Sequence, residues 1–438
     1  MSSICCDKQA VPGYRNKTWS MLYAERLKNL GRFSIYLNVD RIQNETGYSN
    51  IRVQVDTSSV SITTGRGRGR EWTWKLGIPD VTFHPASCRG LKCSQNGELH
   101  CTFQTTLPNL LLSPTRTPSV SNTLQSHMVD SLLLHQDRCS CRFCGKKILP
   151  TNKKFQRVLP LPSEAWMEMS GNHFCHKPDM SRMNTRRQHI NSKGLLLPKI
   201  GDCLVGDLYF LVNSLDVDLG ALTVEHKTAQ ILCKRCRTEL GAIIKQTEDV
   251  SESDAEKFVC KIYSYSINLQ PLMDETGEPL SCINRWTFTE ESYLANYLTE
   301  QSRTFTSFKF IIESSKTENQ PTMTCLVWLL DMIQVYELSD IPTAAEHKHV
   351  HELSLEPEVR QKILYRAKIN GLPRASSKQN NVGDEVFNLW LNDSSVMPLT
   401  LSSRLTASLI QLLAYSTNSL PLSCRRINEF HVGFLRPP

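Results

Sequence analysis

The chain has 438 residues, 40% of them hydrophobic and 21% charged, with unexceptional Gly and Pro. That is the make-up of an ordinary globular protein of two or three domains, whose core is large enough not to need a metal merely to offset small size. Fifty basic residues against 43 acidic ones give a net charge of +7, too mild to imply nucleic acid on its own. No apolar run is long enough to span a bilayer, and Met1 to Ala10 holds Cys5, Cys6, Asp7 and Lys8 rather than an apolar leader. Sixteen cysteines in such a chain point to the reducing cytoplasm or nucleus, where paired cysteines bind metal more often than they form disulfides.

Taken in chain order, the first 50 residues are weakly patterned apart from a strand-like run, Phe33 to Val39. Alternation then marks short strands at Ile51–Val55, Trp72–Trp74, Val81–Phe83 and Leu99–Phe103. Residues 113–130, rich in Ser, Thr, Pro and Asn, read as a flexible insertion. A metal-centred region follows from about Gln136 to Ile244, then a small acidic linker, Gln246 to Glu256. Phe305–Glu313 and Cys325–Tyr336 read as strands, and Pro357–Lys368 as either a helix or a strand. Leu401–Tyr415 reads as a helix with Ser402 and Ser403 as cap candidates and Leu405, Leu409, Leu412 and Leu413 as its apolar stripe; Ile427–Leu435 closes the chain as a strand. The expected organisation is an N-terminal β-rich region (1–135), a metal-centred domain (136–245) and a C-terminal α+β region (257–438).

Two Cys-x-x-Cys pairs, Cys141/Cys144 and Cys233/Cys236, supply the four thiolates that a closed tetrahedral Zn²⁺ site needs. Basic neighbours favour the thiolate form, and the glycines that follow permit the tight turn. A redox-active pair would open a helix within a βαβ unit, a context the sequence lacks. Cys139 is an alternative ligand, although the two-residue spacing prefers Cys141. Such a site has no position left for water and is structural; it would pin antiparallel sheets across the 88 residues between its halves. One local form that uses two distant turns of this kind is a β-tent of the yippee or cereblon-ligand type. The fold expected is therefore mainly β with an α+β C-terminal part.

Within that interval Arg157 to Asp179 is kept extended by Pro160, Pro162 and Pro178, and Trp166 can anchor it. Cys175 is flanked by His173, His176 and Lys177, neighbours that lower a thiol pKa when charged. It is either a free cysteine in a packed loop or a thiolate presented to a metal, its own or another protein's. Gly65 to Arg70 alternates Gly and Arg, which suits RNA phosphates or acidic surfaces but reads better as a solvated loop. Cys424, with Arg425 and Arg426 beside it, and Cys325, in an apolar run, are the cysteines weighed as thioester nucleophiles; a structural role is preferred for both. No Ser/His/Asp arrangement, phosphate-cradling loop or carboxylate pair stands out.

The chain resembles the HECT-like ubiquitin-conjugating-enzyme-binding family from about residue 75 to its end. The matching segments include Ser87-Cys-Arg-Gly-Leu91, Cys141-Arg-Phe-Cys-Gly145, Arg157-Val-Leu-Pro-Leu-Pro-Ser-Glu164, Cys175-His176, Cys233-Lys-Arg-Cys236, Trp328-Leu-Leu330, Pro398-Leu-Thr-Leu401 and Arg425-Arg-Ile-Asn428. The resemblance implies ubiquitin ligation with a ubiquitin-conjugating enzyme as partner and cyclin B as a further one. It also implies restraint of the zinc endonuclease subunit of the mRNA 3′-end cleavage and polyadenylation machinery. For that second activity the segment 157–189 corresponds to the binding motif, and Cys175 falls on the cysteine that coordinates the partner's active-site zinc. No membrane and no direct nucleic-acid contact are expected. The Thr-Cys-Phe-Asn type of segment that marks a HECT catalytic cysteine is missing, so no catalytic residue carries over, and four split ligands are too few for a RING.

Overall fold

The computed structural model describes residues 20–46, 51–66, 70–79, 81–93, 97–106, 120–161, 196–245, 258–269, 289–315, 322–339, 350–370 and 382–437. Contacts group the chain into two compact units, one built from Met1–Pro114 with Phe305–Pro437, the other from Thr115–Thr304. This grouping differs from a three-part division in chain order. The reason is a strand pairing of very long range: Leu22–Leu27 lies antiparallel to the end of Thr322–Leu338, with Leu22 opposite Leu338 and Arg26 opposite Gln334.

The discontinuous unit is built on a ten-stranded sheet. Its main path runs Arg426–Ile427, Phe430–Leu435, Glu358–Asn370, Thr322–Leu338, Leu22–Leu27, Arg32–Asn38, Glu98–Thr105, Phe83–Cys93. Lys309–Ser314 also pairs with Thr322–Leu338 and takes Val396–Leu401 as a parallel neighbour. Phe33, Ile35 and Leu37 are buried at every second position, and Phe33 packs edge-on against Phe83 at 5.0 Å between ring centres. A second sheet joins Ile51–Val55, Ser59–Arg66, Arg70–Gly77 and Val350–Ser354. The Gly-Arg run lies at a hairpin of this sheet, with Gly65 opposite Glu71 and Arg66 opposite Arg70; residues 67–69 lie outside the described residues. Helix Ser403–Asn418 forms as its sequence dictates: the Ser402 hydroxyl accepts from the Leu405 amide, and Leu405, Leu409 and Leu413 are buried.

The continuous unit holds a seven-stranded sheet in the order Leu222–Glu225, Gln230–Cys233, Glu239–Lys245, Phe258–Tyr263, Tyr209–Asn213, Asp202–Val205, Arg157–Pro160. All neighbours are antiparallel except the last pair. A two-stranded sheet joins Cys139–Cys141 to Ile267–Leu269. Met128, Leu132, Phe210, Val212, Ile231 and Ile262 are among the buried residues of its core.

Mainly β architecture with antiparallel sheets is therefore what the chain has. Several local expectations differ. The segment 113–130 does not read through as a linker, because helix Val120–His135 begins inside it and buries Met128 and Leu132, one turn apart. The polar residues that suggested a linker occupy the start of that helix. Helices Glu290–Phe305 and Val382–Leu391 were not legible either. The ambiguous Pro357–Lys368 run is a strand, Glu358–Asn370, and the closing strand is a hairpin turning at Asn428, whose φ is 52°. The acidic linker 246–256 lies outside the described residues. Loss of the Ser402 cap gives a direct check on the helix assignment: Ser402→Ala should lower the stability of the discontinuous unit by about 1 kcal/mol in urea unfolding, with the m-value unchanged.

Candidate metal centre

Cys141 ends the strand Cys139–Cys141, and Cys233 ends the strand Gln230–Cys233. Each strand then turns back on itself in the same way. The Gly145 amide donates to the Cys141 carbonyl at 2.8 Å, and the Arg237 amide donates to the Cys233 carbonyl at 2.8 Å. The Cys141 amide donates to the Lys146 carbonyl and the Cys233 amide to the Thr238 carbonyl, both at 2.8 Å. The residue after the second cysteine is left-handed in both turns, Gly145 at φ 69° and Arg237 at φ 61°. Backbone amides of Phe143 and Cys144 point at the Cys141 sulfur, and those of Arg235 and Cys236 at the Cys233 sulfur. One turn geometry is thus built twice from segments 88 residues apart.

The two turns face each other. The Sγ atoms of Cys141 and Cys236 are 3.6 Å apart and those of Cys144 and Cys233 are 3.5 Å apart; all four lie within 4.8 Å of one another. Zn–S bonds of about 2.3 Å give a tetrahedron with edges of about 3.8 Å, which the short pairs approach. Cys141 and Cys233 are buried, whereas Cys144 and Cys236 are half-buried. Burial pushes the thiols of Cys141, to about 12, and Cys233 up. Burial also acts against the Cys236 thiolate, but hydrogen bonds from Thr238 and from the neighbouring thiols outweigh it and bring that thiol down to about 6. A cation among the four sulfurs would stabilise all of them as thiolates. This group can hold a metal ion, and with four protein ligands it leaves no position for a reacting water.

Of the two cysteines weighed for the first turn, Cys141 joins the cluster. Cys139 lies outside it, fully buried, with its thiol pushed well up by burial. The role assigned to the following glycines applies to Gly145 alone. In the second turn Arg237 takes the left-handed position, and Gly241 serves the sheet, where a Cβ would lie 1.9 Å from the Lys261 carbonyl oxygen. Left-handed arginine is uncommon, and nothing in its sequence context signals it.

Of the segment 157–189, the described part is the strand Arg157–Pro160 with Leu161; Trp166, His173, Cys175, His176 and Lys177 lie outside the described residues. The strand is held firmly. Arg157 forks onto Asp202 at 2.9 and 2.6 Å, the Leu161 amide donates to the Val205 carbonyl at 2.6 Å, and the Gln125 side-chain amide donates to the Leu161 carbonyl at 2.6 Å.

The cysteines considered as nucleophiles are poorly placed for it. Cys325 is fully buried, and burial pushes its thiol up to about 12. Cys424 sits in the short turn Leu422–Cys424, where burial and then the Glu25 carboxylate push its thiol up to about 12. Its cationic neighbour Arg425 is turned away onto the carbonyls of Leu420 and Asn418, at 3.0 and 2.8 Å. The sequence missed the buried group around it: Glu25 accepts from Tyr23 at 2.7 Å and from Lys362 at 2.7 Å, the second a partner far away in the chain.

The model of the HECT-like ubiquitin-conjugating enzyme (E2)-binding family matches residues 25–432. The chain belongs to that family. It is 28% identical over 387 residues to a human protein named as an E3 ubiquitin-protein ligase of the D type, covering 82% of this chain and 85% of that one. The mouse protein of the same name is 30% identical over 365 residues, covering 81% and 83%, and the rat protein 30% over 362 residues, covering 80% and 82%. No solved structure matches the chain.

Two glycine substitutions separate the conformational demand of the first turn from the steric demand of the sheet behind the second. Nothing lies within 4 Å of a Cβ at Gly145, so Gly145→Ala should cost only the left-handed penalty, about 1 kcal/mol. Gly241→Ala must displace backbone and should cost more, about 3 kcal/mol, by thermal or urea unfolding of the metal-loaded chain.

Proposed function

We propose that the chain is a ubiquitin ligase that binds a ubiquitin-conjugating enzyme and promotes transfer of its ubiquitin, with zinc at the four-cysteine centre as a structural staple. The observation that carries this reading is the family match across residues 25–432, reaching both compact units, together with relatives named as ubiquitin ligases over four-fifths of the chain. Zinc is the metal that best suits the donor set, since four thiolates in a tetrahedral arrangement select zinc over oxygen-loving cations. Bound there, it supplies no reaction chemistry; it fixes two turns.

A covalent ubiquitin intermediate needs an exposed, activated thiolate. Among the described residues Cys424 and Cys325 have the opposite character, and Cys236, with its lowered thiol, is a ligand of the staple. The reading is therefore of transfer from the conjugating enzyme without a thioester on Cys424. In a discharge assay the chain should speed loss of ubiquitin from a charged conjugating enzyme, with Cys424→Ala at least half as active as wild type and no adduct on the chain that reductant removes. A reducible adduct abolished by Cys424→Ala would contradict this reading. Zinc content should be about one ion per chain and fall to near zero in a Cys144→Ser/Cys236→Ser variant.

A second activity, inhibition of the zinc endonuclease of mRNA 3′-end processing through Cys175, is supported by one feature of the fold. The strand that leads into the segment carrying Cys175 is fixed at Arg157 and Leu161 to a sheet that the staple helps to hold. A thiolate delivered from such a base would fill the open coordination position that metal-assisted hydrolysis requires. Cys175→Ala should weaken inhibition of that endonuclease at least tenfold while leaving zinc content and unfolding midpoint unchanged; unaltered inhibition would remove the thiolate from the account.

A further inference from the structure

The geometry of the metal centre points to a second use of the same turns: we propose that their tip binds single-stranded nucleic acid. Because the four sulfurs lie within 4.8 Å, the residues between the cysteines of each pair are brought side by side. Those residues are Arg142 and Phe143 in one turn and Lys234 and Arg235 in the other, and all four are exposed. Lys146, Lys147 and Arg237, which follow the second cysteines, are exposed as well. The Glu225 carboxylate pairs with Arg237 at 2.9 Å.

Two features exceed what a metal staple needs. A Zn²⁺ held by four thiolates leaves two negative charges, already softened by the backbone amides aimed at Cys141 and Cys233. Six basic residues lie within the two turns or directly after them. Phe143, moreover, is 58% exposed, whereas its neighbours Cys141, Ile148 and Leu149 join the core. An aromatic face among cations is the arrangement on which unpaired bases stack while the phosphates are neutralised. A turn tip offers no helix or ribbon to enter a duplex groove, so the ligand class is a strand with its bases free. The chain's modest overall charge of +7 does not oppose this, because the local group of basic side chains, not the net charge, meets the phosphates.

The test is fluorescence anisotropy of the full, zinc-loaded chain with labelled oligouridine and oligothymidine of about 12 nucleotides, at about 50 and 200 mM salt. Both strands should bind. Phe143→Ala should weaken binding about fivefold or more, Phe143→Trp should keep it, and Phe143→Leu should lose it. Replacing Arg142, Lys234 and Arg235 together by Ala should flatten the log–log salt dependence by about 2, at roughly 0.7 per phosphate contact. Zinc content and unfolding midpoint should be unchanged in these variants. An Arg66→Ala/Arg70→Ala variant in the Gly-Arg hairpin should bind as wild type. Absence of binding, binding lost only in the hairpin variant, or wild-type affinity in Phe143→Ala with polyglutamate competing as well as unlabelled oligouridine would overturn the proposal; the last result would make the tip a site for acidic protein segments.

Discussion

Four sulfurs drawn to one point set the terms for the continuous unit. Cys141 and Cys233 end strands in different sheets, and each begins a turn that brings its own buried sulfur against a half-buried one of the other turn. Without a cation, only weak thiol hydrogen bonds favour the close approach of these groups; with one, the same approach becomes a coordination shell. Everything between residues 145 and 232 then becomes a loop whose ends are fixed. Closing a long loop removes more freedom from the unfolded chain than closing a short one, so the distance between the pairs strengthens the constraint.

The continuous unit presents an edge and a tip. At the edge, Arg157 and Leu161 are tied to Asp202 and Val205, which gives the segment carrying Cys175 a rigid origin. At the tip, Phe143 and its basic neighbours stand clear of the core. The discontinuous unit is held by different means. The two sequence-distant parts of its ten-stranded sheet are joined by the pairing of Leu22–Leu27 with Thr322–Leu338, and a buried group, Glu25 with Tyr23 and Lys362, ties the same region. Burial beside that carboxylate keeps the Cys424 thiol protonated, the reverse of what a transfer nucleophile requires.

Much of the candidate site was legible in the sequence because its chemistry is local. Two-residue spacing between cysteines encodes a turn that can present two thiolates, and the serine at 402 followed by leucines at helical spacing encodes a capped helix. Alternation marked Ile51–Val55 correctly for the same reason. What was not legible depends on partners far away. Nothing near Leu22 announces Leu338, and nothing near Cys424 announces Glu25; two adjacent arginines suggested activation, and a remote carboxylate with burial reverses it. Arg237 in a left-handed conformation defeats the expectation that glycine marks such turns; the turn's own hydrogen bonds, Arg237 amide to Cys233 carbonyl and Cys233 amide to Thr238 carbonyl, hold that backbone. Helix Val120–His135 was hidden because its polar opening resembles a linker and its burial is decided by Met128 and Leu132 further on.

A metal ion at the four-cysteine centre is proposed to organise the continuous unit. Hydrogen exchange, compared between the zinc-loaded and chelated chain, tests it most directly. Removal of metal should strip protection first from Cys139–Cys141, Gln230–Cys233 and Glu239–Lys245, then from the rest of the seven-stranded sheet, while Thr322–Leu338 and Glu358–Asn370 keep theirs. Equal protection in both states across the two cysteine turns would contradict the account.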